Sequence, residues 1–313
     1  MSIIITEEMR FRQRVVEYAI KYNNNARAAR RYHTSRQQVW RWRKRYDGTV
    51  QSLAHKSRRP HSHPNQHTKE ELDLIRHKYR YHGHEGLAQV YRKLKEDGYI
   101  RTYDSMCRQI RKMKLNRPRK QKRSYPKSRY RKTAATYPGQ RVQIDVKYVP
   151  VECIGFASHH SRYYQITAVD EYSRKRHMVL VTENSTYTTS EFLKSLEKKL
   201  GFNIDTVQTD NGLEFVNDQD KTDKKSRFQK TLESMGIKHK RIRPYSPWQN
   251  GIVERSHRID NELFYNKRRF RSFEEMEKAF RRYNSRYNNI SRKVLGFKSP
   301  NEVVNEYFSD NAA

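Results

Sequence analysis

The N-terminal part of the chain begins with apolar residues at helical spacing. Between Phe11 and Ile20 the apolar side chains recur every three or four residues, which predicts an amphipathic helix. Residues 23–25 are all Asn and interrupt this pattern, and a short second helix follows. Thr34 or Ser35 can then cap a third, basic helix. A short helix, a turn and a basic helix with polar residues near its start are typical of a helix-turn-helix unit. We assign this unit to residues 1–47.

The third predicted helix of this unit would face the major groove of DNA. Arg and Gln side chains near its start are of the types that make paired hydrogen bonds to base edges. We expect Trp40, on the same helix, to pack in the small core of the unit rather than against bases. The candidate DNA contacts are Arg36, Gln37, Gln38 and Arg41.

A second helical pattern follows a basic linker that covers residues 48–67. The sequence Thr-Lys-Glu-Glu from Thr68 is the signature of a capping box and starts a helix, and two more helices follow. Residues 68–115 therefore form a second predicted helix-turn-helix unit, and two linked units can bind a longer site with higher affinity than one. The linker suits an arm that lies along a groove or backbone of DNA. The candidate contacts in these two segments are Arg58, Arg59, Arg108 and Arg111.

The pattern changes from helical to alternating after a second basic linker, over residues 116–137. Segments of alternating apolar and polar residues predict strands, and the link between the second and third strands is short enough for a hairpin. We expect Asp170 to orient the turn of this hairpin. An amphipathic helix over residues 188–200 separates the third and fourth strands, which indicates a mixed sheet flanked by helices. The predicted strands cover residues 141–150, 162–169, 176–181 and 204–209.

Composition adds a polyanionic partner to this picture. The chain has 67 Lys and Arg residues against 34 Asp and Glu, a net charge of +33, and the excess is spread from end to end. Such a charge favours nucleic acid, with affinity that falls steeply with salt. The two cysteines exclude a disulfide framework and a cysteine-based zinc site. No apolar run approaches the roughly 20 residues that span a bilayer, and the N-terminus does not resemble a signal peptide. We therefore expect an intracellular protein.

Three acidic residues in this basic chain are candidates for catalysis. Asp145 lies inside a predicted strand, Asp210 follows another, and Glu254 lies about two turns into a predicted helix. Carboxylate oxygens suit Mg²⁺, and a pair of such ions can stabilise the attacking and leaving oxygens of a phosphodiester displacement. We predict that the three acids converge as a metal site. Carboxylates so close together would repel one another and resist ionisation until a cation binds.

Polar residues around the third acid are further candidates. Asn250 and Arg258 lie four positions before and after Glu254, and His257 lies three positions after it, so they share one helix face. We expect them to contact DNA or to steady the carboxylate; the alternative is that they are ordinary surface residues. Glu214, four positions after Asp210, is expected to be a solvated loop residue; the alternative is that it supports the residues that hold the metal.

Three segments resemble the signature blocks of the retroviral-integrase-type DDE transposases, which are bacterial insertion-sequence transposases. These segments are Gln143-Ile144-Asp145, residues 208–215 (QTDNGLEF) and residues 244–254 (PYSPWQNGIVE). The resemblance implies an integrase core of ribonuclease-H-like fold, with a mixed five-stranded sheet, preceded by two all-α helix-turn-helix units. We assign the core to residues 138–290 and a C-terminal tail with a short helix to residues 291–313.

The same resemblance implies an activity and its requirements. Asp145, Asp210 and Glu254 match the catalytic, metal-binding positions of the family. The family implies cleavage at transposon ends by water, followed by strand transfer into target DNA from the freed 3′-hydroxyl. The implied cofactor is Mg²⁺, for which Mn²⁺ can substitute, with two ions in the site. The implied partners are double-stranded DNA, as inverted-repeat ends and target, and further copies of the chain in a dimer or larger assembly. The implied location is the bacterial cytoplasm, at the nucleoid.

The chain departs from the family pattern between its second and third acids. From Asp210 to Glu254 is 254 − 210 = 44 positions, which is longer than usual in the family. The excess lies in residues 217–226, which are polar and indicate an insertion in a surface loop. Because long polar insertions in loops destabilise a fold only slightly, we expect an intact site. If the insertion displaces the helix, Glu254 is the residue affected.

Two other functions remain open at the level of sequence. One is a DNA-binding regulator that keeps the fold without activity, and the other is a ribonuclease-H-like nuclease that acts on hybrids. The three intact acids argue against the regulator. The pair of helix-turn-helix units favours duplex DNA and therefore argues against the nuclease.

Overall fold

The computed structural model describes residues 4–55, 60, 63–116, 134–157, 162–217, 222, 224–244 and 246–311. The chain forms two compact units, Met1–Gln66 and His67–Ala313. The candidate DNA contacts Arg58 and Arg59, and most of the linker at 116–137, lie outside the described residues. Of the helices described, none combines the length and apolar character needed to cross a membrane.

The smaller unit contains three helices: α1 (Glu7–Lys21), α2 (Asn25–Arg31) and α3 (Arg36–Arg45). Ser35 caps α3, because its hydroxyl accepts a hydrogen bond of 3.2 Å from the backbone N–H of Gln38. The core of the unit is small and contains Val15, Ala19, Ala28, Ala29 and Val39. These helices confirm the helical pattern predicted for the N-terminus.

The prediction that Trp40 packs in this core is wrong. Trp40 is 54% exposed, and the Lys44 ammonium lies 5.3 Å from its ring centre. Trp42 takes the inner place instead, with its ring edge-on to Phe11 at 6.4 Å. At 3.6 residues per turn, Val39 and Trp42 share one face of α3 while Trp40 lies on another. The outer surface of α3 therefore carries an aromatic residue among its basic ones.

The larger unit begins with three more helices: α4 (Lys69–His82), α5 (Leu87–Glu96) and α6 (Tyr103–Lys112). The predicted capping box is present, with the Thr68 hydroxyl and the Glu71 carboxylate each accepting from the other residue's backbone N–H. Arg92 of α5 donates to both carboxylate oxygens of Glu302, near the C-terminal end of the chain. These three helices therefore pack within the same compact unit as the C-terminal region.

A mixed five-stranded sheet, in the order β3-β2-β1-β4-β5, forms the centre of the larger unit. The first three strands along the chain pair in antiparallel fashion, whereas β4 and β5 run parallel to β1. This arrangement confirms the predicted mixed sheet. The strands are β1 (Val142–Tyr148), β2 (Tyr164–Asp170), β3 (Arg176–Val181), β4 (Thr206–Thr209) and β5 (Lys238–Arg241).

Helices cover both faces of this sheet. Val142 and Ile144 of β1 belong to an apolar core with α7 and α8, whereas the intervening Gln143 and the later Lys147 face α9. Asp170 accepts hydrogen bonds from the backbone N–H and hydroxyl of Ser173, which confirms its role in the hairpin turn. The helices are α7 (Thr186–Leu200), α8 (Arg227–Ser234), α9 (Gly251–Leu263), α10 (Phe273–Asn288) and α11 (Pro300–Asp310).

A buried ion pair ties α9 to the sheet. The carboxylate of Asp260 lies 2.7 Å from the Arg176 guanidinium, and the side chains of both residues are fully buried. Gln165 and Tyr283 donate to the same carboxylate at 2.8 and 2.9 Å. Burial alone would raise the pKa of Asp260, but the charge of Arg176 and these hydrogen bonds outweigh it and hold the pKa below its usual range. The carboxylate therefore stays charged inside the protein.

Removal of this carboxylate tests how much the larger unit depends on the pair. Asp260→Ala leaves the Arg176 charge buried without a counter-ion, which should lower the free energy of unfolding by about 3–5 kcal/mol. Urea unfolding followed by circular dichroism measures the loss. The control is Glu262→Ala on the same helix, where the pair with Arg258 is 3.8 Å apart and both side chains are more than half exposed. That change should lower stability by less than about 1 kcal/mol; equal losses would contradict the assignment.

Candidate functional site

The three predicted acids line one open pocket of about 250 Å³. Asp145 lies on β1, Asp210 directly follows β4, and Glu254 lies in the first turn of α9. The expectation that Glu254 lies about two turns into its helix is wrong, because residues Pro247–Asn250 form a separate 3₁₀ turn before α9. The structure therefore brings together side chains from two strands and one helix that are far apart in sequence.

The polar insertion between the second and third acids is closed at its base. Of residues 217–226 the structure describes 217, 222 and 224–226. The Asn217 side chain donates to the carbonyl of Lys224 at 2.8 Å, and the Ser226 hydroxyl donates to the carbonyl of Phe215 at 2.6 Å. Ser226 also starts α8 as the first residue of a capping box. The chain leaves and re-enters the core at one place, and Glu254 still reaches the pocket.

The pKa values of Asp210 and Glu254 are raised in the pocket, first by burial and further by the charge of Asp145. Burial raises the pKa of Asp210 and the charge of Asp145 raises it further, although a hydrogen bond of 3.0 Å from the backbone N–H of Gly212 opposes this. The pKa of Glu254 is raised by partial desolvation and then by Asp145, against a lowering by His257. The three carboxyl groups are thus close enough to repel when all are charged.

Glu214 belongs to the same electrostatic group, which was the less favoured of the two expectations for it. Its side chain is half-buried, and its pKa is raised by burial and by the charges of Asp210 and Asp145. The expectation of a solvated loop residue is therefore wrong. Its place four residues after Asp210 was the only signal in the sequence.

The donor set of the pocket fits a hard divalent cation. Its acids offer carboxylate oxygens, the ligands that Mg²⁺ and Ca²⁺ prefer, and their mutual repulsion would be relieved by a positive ion. Within the described ranges, however, no three His, Cys, Asp or Glu side chains are already gathered closely enough to hold an ion. The acids share a pocket without forming a completed ligand cluster.

His257 connects α9 to the first acid. Its Nδ1 lies 3.3 Å from one carboxylate oxygen of Asp145, whose other oxygen accepts from the Val146 backbone N–H at 3.0 Å. The imidazole Nε2 is buried and has no hydrogen-bond partner among the residues that the structure describes. His257 is thus placed to orient Asp145, whereas the expectation was that it contacts DNA or steadies the carboxylate of Glu254.

The other two polar residues around Glu254 have different environments: Asn250 is buried and Arg258 is exposed. Asn250 is only 2% exposed, and its side-chain amide donates to the backbone carbonyl of Ile144 at 3.4 Å. Arg258 is exposed and lies 3.8 Å from Glu262 on the same helix. Burial makes Asn250 a link between α9 and β1, whereas Arg258 is accessible; DNA contact by either remains a prediction.

The predicted DNA contacts of the helical units lie on exposed helix surfaces. Arg36, Gln37, Gln38 and Arg41 are exposed on α3. Arg108 and Arg111 are exposed on α6, where their guanidinium groups donate to backbone carbonyls one turn earlier in the same helix. Both helices therefore present basic or polar side chains to solvent, and Trp40 adds an aromatic side chain that the prediction had placed in the core.

Comparison with known families identifies the domains. An integrase core domain matches residues 135–247, a second integrase core model matches residues 235–292, and a helix-turn-helix domain matches residues 11–61. A candidate integrase, ORF3 of Spiroplasma virus SpV1-C74, is 28% identical over 174 residues, which are 52% of this chain. The matched region covers 47% of the length of that relative.

Solved structures of retroviral integrases show a looser likeness. The simian T-cell lymphotropic virus intasome, in complex with a PP2A regulatory subunit, has a chain that is 19% identical with a TM-score of 0.43; the match covers 72% of this chain and 74% of that one. The catalytic core domain of BIV integrase is 18% identical with a TM-score of 0.40, covering 56% of this chain and 99% of that domain.

The repulsion among the acids predicts an effect on stability in the absence of metal. The folded pKa of Asp210 is raised, so its ionisation destabilises the fold as pH rises through that pKa, and the effect is absent at lower pH. Asp210→Asn keeps an acceptor for Gly212 without the charge. At pH 7 in chelator, the variant should be more stable than the wild type by on the order of 1 kcal/mol.

Thermal unfolding across pH 4 to 8 checks this prediction. The advantage of Asp210→Asn should shrink towards the acid end of that range, because a growing fraction of the wild-type carboxyl is protonated in the folded protein. Added Mg²⁺ should then stabilise the wild type more than the variant, because an ion that binds only the folded state raises its stability. A variant that is less stable than the wild type by the same amount at every pH would contradict a raised pKa of Asp210 in the folded protein.

Proposed function

We propose that this protein is a DDE transposase with an integrase core and N-terminal helix-turn-helix domains, and that it moves a DNA segment by cutting its ends and joining them to target DNA. The observation that carries the proposal is the shared pocket of Asp145, Asp210 and Glu254. The integrase core implies transfer of polynucleotide strands, and the helix-turn-helix domain implies binding to DNA.

The acids of the pocket would hold Mg²⁺, for which Mn²⁺ could substitute, as two ions. Bound there, the ions would stabilise charge on the attacking and leaving oxygens of a phosphodiester. The chain itself contributes the placement of the ligands. His257 orients Asp145, the Gly212 backbone N–H orients Asp210, and α9 presents Glu254 at its first turn.

The proposed reaction is two successive displacements at phosphorus. In the first, water attacks a phosphodiester at the end of the transposon, and the 3′-oxygen leaves as a hydroxyl. In the second, that 3′-hydroxyl attacks a phosphodiester of target DNA, forms one P–O bond and displaces another 3′-oxygen. The second step forms one phosphodiester bond for the one that it breaks, so strand transfer requires no separate energy source. An open pocket suits a substrate that must enter as a long polymer.

The helical units would deliver the DNA. We assign recognition of the inverted-repeat ends to residues 1–47 and 68–115, with basic linkers at 48–67 and 116–137 along the backbone of the duplex. The integrase-type core would cover residues 138–290 and the tail residues 291–313. Because one chain supplies one set of three acids and a transposon has two ends, we propose a homodimer or larger assembly on DNA. Its place would be the bacterial cytoplasm, at the nucleoid.

Replacement of each acid tests the chemistry. Asp145→Asn, Asp210→Asn and Glu254→Gln should each lower Mg²⁺-dependent cleavage of labelled end DNA by at least about 1,000-fold, because each removes a charged ligand. Binding of the same DNA in a mobility-shift assay should change by less than about threefold, since these residues do not supply its positive charge. Glu262→Gln, exposed on the same helix, is the matched control and should cleave normally.

A target plasmid in the same reaction separates the alternatives. Joined products identify a transposase, and cuts without joining identify a nuclease. A shifted but intact band in every metal condition identifies a DNA-binding regulator and contradicts the proposal, as does full cleavage by the three variants.

A second test concerns the reading of DNA sequence by α3. Arg36→Ala should weaken binding to the end sequence by about 1–3 kcal/mol while leaving binding to unrelated duplex DNA nearly unchanged, as expected for loss of a base contact. Lys44→Ala should weaken both to a similar extent, as expected for a phosphate contact. Arg10→Ala, an exposed change on α1, is the control. If Arg36→Ala lowers both affinities equally, α3 does not read bases through this residue.

A further inference from the structure

Two buried glutamines lie two positions before the two aspartates of the pocket. Gln143 precedes Asp145 on β1, and Gln208 on β4 precedes Asp210. Their exposed fractions are 0% and 1%. A buried amide side chain is unfavourable unless its hydrogen bonds are satisfied, so the partners of these two side chains matter. Side chains of a strand alternate between faces, and Gln143 therefore lies on the same face of β1 as Asp145.

Both glutamines hydrogen-bond the junction between the 3₁₀ turn Pro247–Asn250 and α9. The Oε1 of Gln143 accepts from the backbone N–H groups of Ile252 and Val253, in the first turn of α9, at 3.1 and 3.3 Å. Its Nε2 donates to the carbonyl of Gln249, in the 3₁₀ turn, at 3.4 Å, and the Nε2 of Gln208 donates to the same carbonyl at 2.8 Å. Two neighbouring strands thus bond this junction at once.

These contacts replace the usual helix cap. The first N–H groups of a helix have no partner within it, and the residue before the helix commonly supplies one. Asn250 precedes α9, but its side chain donates to Ile144 on β1 instead of capping the helix. Gln143 therefore caps α9 from the sheet. The position of the helix start is set by the strands rather than by its own flanking residue.

We propose that Gln143 and Gln208 are positioning residues that align Glu254 with Asp145 and Asp210. Glu254 directly follows Val253, whose N–H is held by Gln143. Because the insertion between Asp210 and Glu254 is closed at its base, its length does not set the place of the third acid. The hydrogen bonds of Gln143 on β1 and Gln208 on β4 fix the start of α9, and with it the position of Glu254. This inference rests on the proposed function only in naming the three acids as metal ligands.

Paired substitutions distinguish this role from simple filling of space. Gln143→Met and Gln208→Met keep the approximate volume and remove the hydrogen bonds. Gln143→Glu keeps the oxygen that accepts from two N–H groups, whereas Gln208→Glu loses the only donor of that side chain to the Gln249 carbonyl. At position 143 the Glu variant should therefore lose less Mn²⁺ affinity, and less protection of the α9 amides from exchange, than the Met variant. At position 208 the Glu variant should lose at least as much Mn²⁺ affinity and amide protection as the Met variant.

The first measurement does not depend on catalysis. Amide hydrogen exchange of the peptide that contains Ile252 and Val253 should become about tenfold faster or more in both Met variants, because these N–H groups lose their acceptor or its support. The second measurement is Mn²⁺ binding to the metal-free protein, followed by electron paramagnetic resonance. Loss of a residue that orients metal ligands typically weakens metal binding by about 10–100-fold. Binding of end DNA should be unchanged.

A third buried glutamine is the matched control. Gln89 of α5 accepts from the backbone N–H of Ser291 at 2.8 Å. Gln89→Met should leave Mn²⁺ affinity and the exchange of the α9 peptide within twofold of the wild type. Equal effects at positions 89, 143 and 208 would overturn the inference.

Two further results would also overturn it. One is exchange and Mn²⁺ affinity within twofold of the wild type in both Gln143→Met and Gln208→Met. The other is a Met variant at position 143 that keeps more Mn²⁺ affinity and more amide protection than the Glu variant. Failure of the proposed function is a separate result: a wild-type protein that neither cuts nor joins DNA refutes the transposase, while the exchange data still decide whether the glutamines place α9.

Discussion

The larger unit depends on one constraint, the packing of α9 against the polar side of β1. The strand alternates, so Val142 and Ile144 enter an apolar core while Gln143, Asp145 and Lys147 face α9. The helix is held along its length by polar contacts: its start by Gln143, its middle by Lys147, which donates to the His257 carbonyl at 3.3 Å, and its end by the buried Asp260–Arg176 pair. A helix held by hydrogen bonds of defined geometry can slide or rotate less than one held by apolar contact alone.

The burial of so many polar groups gives Lys147 an unusual environment. Burial lowers its pKa to about 8, although the charge of Asp260 opposes the shift, and its ammonium also lies 4.6 Å from the ring centre of Tyr265. The positive charge of the chain is thus used in two ways. Most of the excess lies outside and suits a polyanion, whereas Lys147 and Arg176 are inside and fasten α9 to the sheet.

Much of this architecture follows from local pattern, and the exceptions have physical reasons. The helices from α1 to α7, the first four strands and the three acids carry periodicity, caps or recognisable motifs in the sequence. The strand β5 has the sequence Lys-His-Lys-Arg, without apolar alternation, because it is an edge strand held by backbone pairing to β4. Trp40 was misplaced because helical spacing gives the faces of a helix but not which aromatic residue is buried. The contacts of Gln143 and Gln208 join segments more than 40 positions apart, which no local pattern reveals.

Because the insertion is closed at its base, the number of residues between Asp210 and Glu254 can vary without a change in the fold. Hydrogen bonds of Asn217 and Ser226 bring the chain back to the point where it left the core, so material added beyond them lengthens the chain without moving α9. The spacing between the second and third acids is therefore not what sets their geometry in the pocket. On our proposal, the place of Glu254 depends on the hydrogen bonds that the strands make at the start of α9, and not on the length of the loop before it.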